Sequence, residues 1–297
     1  MLDFSKIKTI PIKQRKNKVK LADLIKPENS KIIISSKDFD SLVNEIIKSH
    51  KNKQQVILMM GAHVIKVGMS LLLIDLMKKG VIKHIAMNGA GPIHDFELAL
   101  IGETSEYVEK TIEDGTFGMI EETGRILNEA IREGSKNDFG MGYSIGKKIS
   151  DLSLPNKEYS ILYNAYKLNI PVTVHVAIGT DIIHQHPSCD GAAIGKTSYQ
   201  DFRVFAESVS KLENGVILNF GSSVILPEVF LKALTVARNL GCKVERFTAA
   251  NLDMIDHYRP RENVVHRPTS LGGKGFIIIE KHEKTIPSLH RKIIDKI

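Results

Sequence analysis

Short apolar runs alternate with stretches of helical spacing along most of the chain. QVILMM (55–60) is an apolar run stopped by Gly61, and MSLLLIDLMKKG (69–80) then sets its apolar residues at helical intervals and closes on a glycine. IKHIAM (82–87) is a second short apolar run. Strand, helix and strand at this length predict a βαβ unit with a right-handed crossover and parallel strands. Helices are predicted at about 93–101, 117–134 and 157–168, the second presenting Ile126, Leu127, Ala130 and Ile131 on one face. PVTVHVA (171–177) reads as a buried strand, 179–197 as a polar glycine-bearing loop, and 198–212 as a helix. GVILNF (215–220) is the next strand; Pro227 suits the first turn of a helix and Gly241 its C-terminal cap. KVERFT (243–248) and FIII (276–279) are two further strand candidates with a long loop between them. This alternation predicts an α/β fold: a single Rossmann-like domain, doubly wound around a mostly parallel sheet.

Composition narrows the partners. With 297 residues and 42% apolar content the chain can fill a sizeable core. The net charge of +7 points to nucleic acid only until it is located, because Lys6, Lys8, Lys13, Arg15, Lys16, Lys18 and Lys20 alone account for it. No aromatic side chains interleave with them, so the segment reads as a solvated or subunit-crossing arm rather than a nucleic-acid grip. The expected division is a basic arm over 1–30 and a domain over 31–297. Cys189 and Cys242 form no CxxC pair, which fits a reduced cytoplasm. No apolar run approaches the roughly 18 residues of a membrane span. A small-molecule substrate is the expected partner, with neither nucleic acid nor membrane.

In a doubly wound sheet, ligands bind beyond the carboxyl ends of the strands, where the loops starting at Gly61, Asn88, Gly179, Gly221 and Thr248 are expected to converge. MNGAGPIHDFELAL (87–100) sets Gly89, Ala90 and Gly91 at the start of a helix, where small residues let backbone N–H groups approach a pyrophosphate. A tight turn needing small residues for sterics alone is the competing explanation. GxGxxG, GxSxG, P-loop and HExxH patterns are absent from the sequence. GTDIIHQHPSCDG (179–191) offers Asp181, His184, His186 and Asp190; an acid near a strand end suits a ribose hydroxyl. His184 and His186, with His63, His94 or Asp190, leave a divalent metal as an alternative of low specificity, and no metal is assigned. His175 reads as a hydrogen-bonded core residue. The segment 249–275 is dense in Asp253, Asp256, His257, Arg259, Arg261, His266 and Arg267, and such a long irregular stretch suits an active-site or subunit-interface role. Arginine's planar fork suits a carboxylate or phosphate.

From about residue 50 onward, the order and spacing of GAHVIKVGMSLLLIDLMKKGVI, NGAGPIHDFELAL, IPVTVHVAIGTDI, SSVILPEVF and GFIIIEKHEKTIPSL resemble the deoxyhypusine synthase family. Members of that family bind NAD and move an aminobutyl group from spermidine to a lysine or amine, as transferases. The resemblance implies a sheet of the deoxyhypusine synthase (NAD-binding) type and a homotetramer of tight dimers with NAD sites at the dimer interface. It also implies that Gly68, Asn88, Gly89, Ala90, Gly91 and Asp181 face the cofactor. Gly221 and Ser222 match a second glycine-rich turn, and 248–250, including Thr248 and Ala249, match a strand end before an interface loop.

Three departures bear on mechanism. With Pro287 and Leu289 aligned, the imine-forming lysine of the family falls on Ile277, which is no nucleophile; Lys274 and Lys281 lie several ångströms off along a strand. His94 stands where a glutamate is expected beside Asp95, and His186 where an aspartate follows Asp181; neutral imidazoles hold cations poorly. The expectation is an NAD-dependent enzyme acting on a small amine or related substrate, by dehydrogenation with or without group transfer, rather than authentic deoxyhypusine synthesis. His94 or His186 is the expected general base, oriented by Asp95 or Asp256, with His184, Arg259, Arg261 and Lys274 binding substrate. The alternatives are an aminobutyl transferase using Lys274 or Lys281, a catalytically silent NAD-binding or scaffold protein, and a metal-dependent hydrolase.

Overall fold

The computed structural model describes residues 2–297, among which eight strands occur: β1 (Asn17–Lys20), β2 (Val56–Met60), β3 (His84–Asn88), β4 (Glu103–Glu106), β5 (Val172–His175), β6 (Val216–Phe220), β7 (Thr248–Asp253) and β8 (Lys274–Ile279). β1 and β4 pair as an antiparallel ribbon; the other six form one sheet in the order β5-β3-β2-β6-β7-β8, every pairing parallel. Chain order therefore reverses between β2 and β6, the switch point of a doubly wound sheet.

Side chains of successive strand residues enter two separate cores. Val56, Leu58 and Met60 join the cluster under helices Lys37–Lys51, Ser70–Lys78, Ala90–Ile101 and His282–Ile294, whereas Ile57 and Met59 join the cluster under Gly191–Ser210 and Ile225–Asn239. A strand covered on both faces reads as an unbroken apolar run, which is why 55–60 and 82–87 were recognisable. Phe205 and Phe230 are fully buried in the second cluster, and truncation of either to alanine would cost roughly 3–5 kcal/mol.

Several boundaries differ from the sequence expectation. The strand expected at 243–248 instead occupies Thr248–Asp253, all six residues buried. Its Ala249, Ala250 and Asn251 have weak strand propensity, but burial between β6 and β8 overrides that; Asn219 donates to the Asn251 side chain across the ladder (2.8 Å). The helix expected at 198–212 begins at Gly191, capped by the Asp190 carboxylate accepting from Ala192 and Ala193 N–H. The segment 249–275 is not a long loop: after β7 it winds through Tyr258–Pro260, a π-helical stretch Arg261–His266 and Arg267–Thr269. Helices Lys37–Lys51 and Met141–Asp151 and the β1–β4 ribbon are additional to the expected elements.

The basic arm touches its own chain through a few buried residues, while Lys6, Lys8, Lys13, Lys16, Lys18 and Lys20 stay exposed. Val19 and Leu24 are buried, and the Arg15 guanidinium is held by Glu97 (Nη1 to Oε1 2.8 Å, Nη2 to Oε2 2.7 Å).

Candidate functional site

At the switch point the turns that end β2 and β6 lie back to back. A methyl group on Gly61 would stand 2.7 Å from the Gly221 carbonyl oxygen, and the Gly61 N–H donates to Phe220 O (2.9 Å). Gly221 takes φ +67°, and a methyl group there would stand 2.5 Å from His282 Nε2, so only glycine fits. His282 opens the last helix directly behind β8 and is 1% exposed, yet neither ring nitrogen has a hydrogen-bond partner among the described residues. The rings of His63 and Phe220 lie 5.9 and 5.8 Å from it. Burial holds the His282 pKa below the ordinary imidazole range, with Asp253 opposing. His282 was missed in the sequence because its only signal is to follow the last strand by a few residues.

One strand over, β3 ends at Asn88, whose side-chain Oδ1 is buried without a partner among the described residues. Gly89, Ala90 and Gly91 then start helix Ala90–Ile101, and the Asp181 carboxylate lies on the Gly89 Cα so closely that any side chain would overlap it. Burial pushes the Asp181 pKa up to about 6, against the Thr180 hydroxyl that donates to it. His184 Nδ1 accepts from the N–H groups of Gly179 (3.1 Å) and Asp181 (3.2 Å), leaving Nε2 3.9 Å from Asp181 Oδ2. The structure thus brings Asn88, Gly89, Ala90, Gly91, Asp181 and His184 together and sets them beside the Gly61 and Gly221 turns. Ser222, next to Gly221, is buried and its hydroxyl accepts from Leu226 N–H (3.3 Å).

His94 lies on the same helix with its Nδ1 2.7 Å from Thr104 Oγ1, and burial pulls its pKa down to about 4. Asp95 does not orient it. The Asp95 carboxylate is fully buried on another face and accepts from Ser160 Oγ (2.5 Å), Ile161 N–H (2.7 Å) and Leu162 N–H (3.1 Å), capping helix Ile161–Leu168. His186 is likewise committed to packing: its ring covers Gly124 and its Nδ1 faces Ser188 N–H (3.2 Å) and Oγ (2.7 Å), because the loop must dock on helix Glu121–Lys136. His175 is a buried residue bonded to Thr173 (3.0 Å).

The remaining residues are spread out. Gly68 is buried under the arm, its carbonyl accepting from Ile25 N–H (2.9 Å). Asp256 and Arg261 pair at 3.0 Å, and Arg259 lies 3.6 Å from Glu228, all after β7 and outside the buried rim. Thr248 and Ala249 open β7 and Lys274 opens β8, so they stand at the opposite rim, roughly 17 Å away at 3.3 Å per residue. This displacement follows from the corrected β7, whose carboxyl end is Asp253. Lys274 bonds Glu45 (2.5 Å) and lines a cavity of about 540 Å³ with Lys48, Arg246 and Thr248. That cavity sits at the amino ends of the strands, away from the switch point. Ile277 is half-buried in mid-β8 opposite Asn251, whereas Lys281 is exposed at the carboxyl rim beside His282. Among the described residues no group of three His, Cys, Asp or Glu side chains is placed to hold a metal ion, and no helix is long and apolar enough to cross a membrane.

No family model and no curated protein matches the chain. Solved structures match it in fold. A conserved protein described as LOR/SDH from Methanococcus maripaludis S2 superposes with a TM-score of 0.54 at 14% identity, covering 91% of this chain and 74% of its own. AgrE, solved in ternary complex with ornithine and NAD+, gives 0.54 at 14% identity over 88% of this chain and 34% of its own. A protein described as a deoxyhypusine synthase from Entamoeba histolytica gives 0.52 at 12% identity over 89% of both chains. This chain spans about a third of the length of AgrE and of ArgZ, a cyanobacterial arginine dihydrolase that it also matches. At these identities the likeness establishes the shared α/β fold.

Proposed function

We propose that this chain is an NAD-dependent enzyme that binds the dinucleotide across the carboxyl rim of β3, β2 and β6 and dehydrogenates a small amine or related substrate there. The observation that carries the reading is that two buried polar sites on that rim lack partners among the described residues: Asn88 Oδ1 at the end of β3, and both ring nitrogens of His282 against the Gly221 turn. Orphaned buried polar atoms are costly, and a polar ligand is one way to satisfy them. The residues fit the group: Gly89, Ala90 and Gly91 at the helix N-terminus suit the pyrophosphate, Asp181 a ribose hydroxyl, and Gly221 and Ser222 the other side of the crevice. AgrE, which shares the fold, is solved with NAD+ and ornithine, and the sequence resemblance to deoxyhypusine synthases points to the same cofactor.

Bound NAD+ supplies a two-electron hydride acceptor. His94 would take up the proton released from the substrate N–H or O–H. Asp181 and His184 orient the sugar side and exclude water. Exposed Ile178, Val224, Met254, Ile255 and Tyr258 follow the carboxyl ends of β5, β6 and β7; they suit burial against a second copy, consistent with the dimer-built homotetramer that the resemblance implies. Thermal unfolding with and without NAD+ tests the reading, because a ligand of the native state raises the midpoint by mass action. A midpoint unmoved at millimolar NAD+ overturns it.

The second reading, aminobutyl transfer through a lysine imine, is favoured at Lys281 by its place on the carboxyl rim next to His282.

A further inference from the structure

A continuous line of hydrogen bonds joins the N-terminal arm to the His94 ring. Arg15 Nε donates to Asn17 Oδ1 (2.7 Å), and its two terminal nitrogens face the two oxygens of Glu97 (2.8 and 2.7 Å). Glu97 also accepts from Thr123 Oγ1 (3.0 Å) and from Thr104 Oγ1 (2.6 Å), and Thr104 Oγ1 lies 2.7 Å from His94 Nδ1. Glu97 and Thr104 are 1% and 0% exposed, so no solvent intervenes. Thr104 stands in β4, paired with Val19 of β1, so the ribbon built by the arm delivers this hydroxyl.

The hydrogens on this line can be assigned. A carboxylate held by a guanidinium accepts and does not donate. The single Thr104 hydroxyl hydrogen must therefore lie between Thr104 and Glu97, since otherwise two oxygens would face each other at 2.6 Å with nothing between them. Thr104 then has only lone pairs to offer the imidazole. We propose that Arg15, Glu97 and Thr104 are positioning residues that hold His94 in the tautomer with hydrogen on Nδ1, leaving the Nε2 lone pair free to take a substrate proton. This rests on the reading of His94 as the general base and adds which nitrogen acts and what sets it. The arm, 79 positions upstream of His94 at Arg15, is thereby part of the machinery that aims the base.

Long-range proton–nitrogen correlation spectra of the full-length, nitrogen-15-labelled protein without ligand test this directly, with His94→Gln identifying the His94 signals. The wild type is expected to show protonated Nδ1 and unprotonated Nε2. Thr104→Val, which keeps the shape but removes the acceptor, is expected to shift the tautomer ratio toward hydrogen on Nε2 by about fivefold, and Thr104→Ser to restore it. Hydrogen on Nε2 in the wild type, or a ratio unchanged in Thr104→Val, overturns the proposal. The NAD+ midpoint shift of the same samples separates the two readings: a wild type with hydrogen on Nδ1 but no NAD+ shift keeps the relay and removes the cofactor.

Discussion

The Asp181 carboxylate rests on the Cα of Gly89, so the acid after β5 and the first turn after β3 share one buried surface. Because burial raises the Asp181 pKa to about 6, well above the ordinary aspartate value of 3.8, the folded state holds this proton more tightly than the unfolded chain does. Asp181 therefore penalises the fold increasingly as pH rises from about 4 through about 6, and the whole penalty is present above that, of order 3 kcal/mol. Asp181→Asn is expected to stabilise the ligand-free protein at pH 8 and much less at pH 4, measured by urea unfolding, while diminishing the NAD+ midpoint shift. Equal effects at both pH values would remove the buried-charge explanation.

A second prediction concerns the pair Gly221 and His282. Gly221→Ala imposes a side chain on a left-handed backbone and drives it against the His282 ring. A loss of about 1–3 kcal/mol is expected from the backbone alone. In the double variant with His282→Ala the steric part should disappear, giving a positive coupling in a double-mutant cycle followed by chemical denaturation. Strict additivity would mean that the two residues do not touch in solution.

Asp95 and His94 are neighbours in sequence whose side chains meet different partners. Asp95→Ala removes the acceptor of one hydroxyl and two backbone N–H groups at a buried helix start, and is expected to cost about 2–4 kcal/mol. His94→Ala should cost less stability than Asp95→Ala and abolish amine- or alcohol-dependent NADH formation. Unimpaired turnover in His94→Ala would exclude it as the base.

Borohydride reduction in the presence of spermidine and NAD+ distinguishes the second reading. If an imine forms, the labelled peptide should contain Lys281 and not Lys274, which is at the far rim tied to Glu45. The absence of any labelled lysine peptide would leave dehydrogenation without group transfer.

Four of the five loops expected to meet do so, because strands joined in parallel all point their carboxyl ends the same way: those starting at Gly61, Asn88, Gly179 and Gly221. The fifth, at Thr248, fell at the wrong end because TAANLD carries no strand signal of its own and KVERFT looked stronger. Asp95 and His186 were plausible as chemistry, since residue type says nothing about which way a side chain turns; one caps a helix and the other covers Gly124. His282 gave no motif at all.

What periodicity and glycine placement decide unaided is local and additive: which runs are covered on both faces, that the connections are right-handed and the strands parallel, and hence that ligands belong at one rim. Which imidazole is left without partners, and which one Arg15 is proposed to aim through Glu97 and Thr104, depends on contacts across long stretches of chain, 219 positions between His63 and His282 and 82 between Arg15 and Glu97. Such contacts exist only once the sheet, its helices and the arm have closed together, because a hydrogen bond of 2.6 to 2.8 Å is set by the three-dimensional placement of both partners and leaves no periodic trace along the chain.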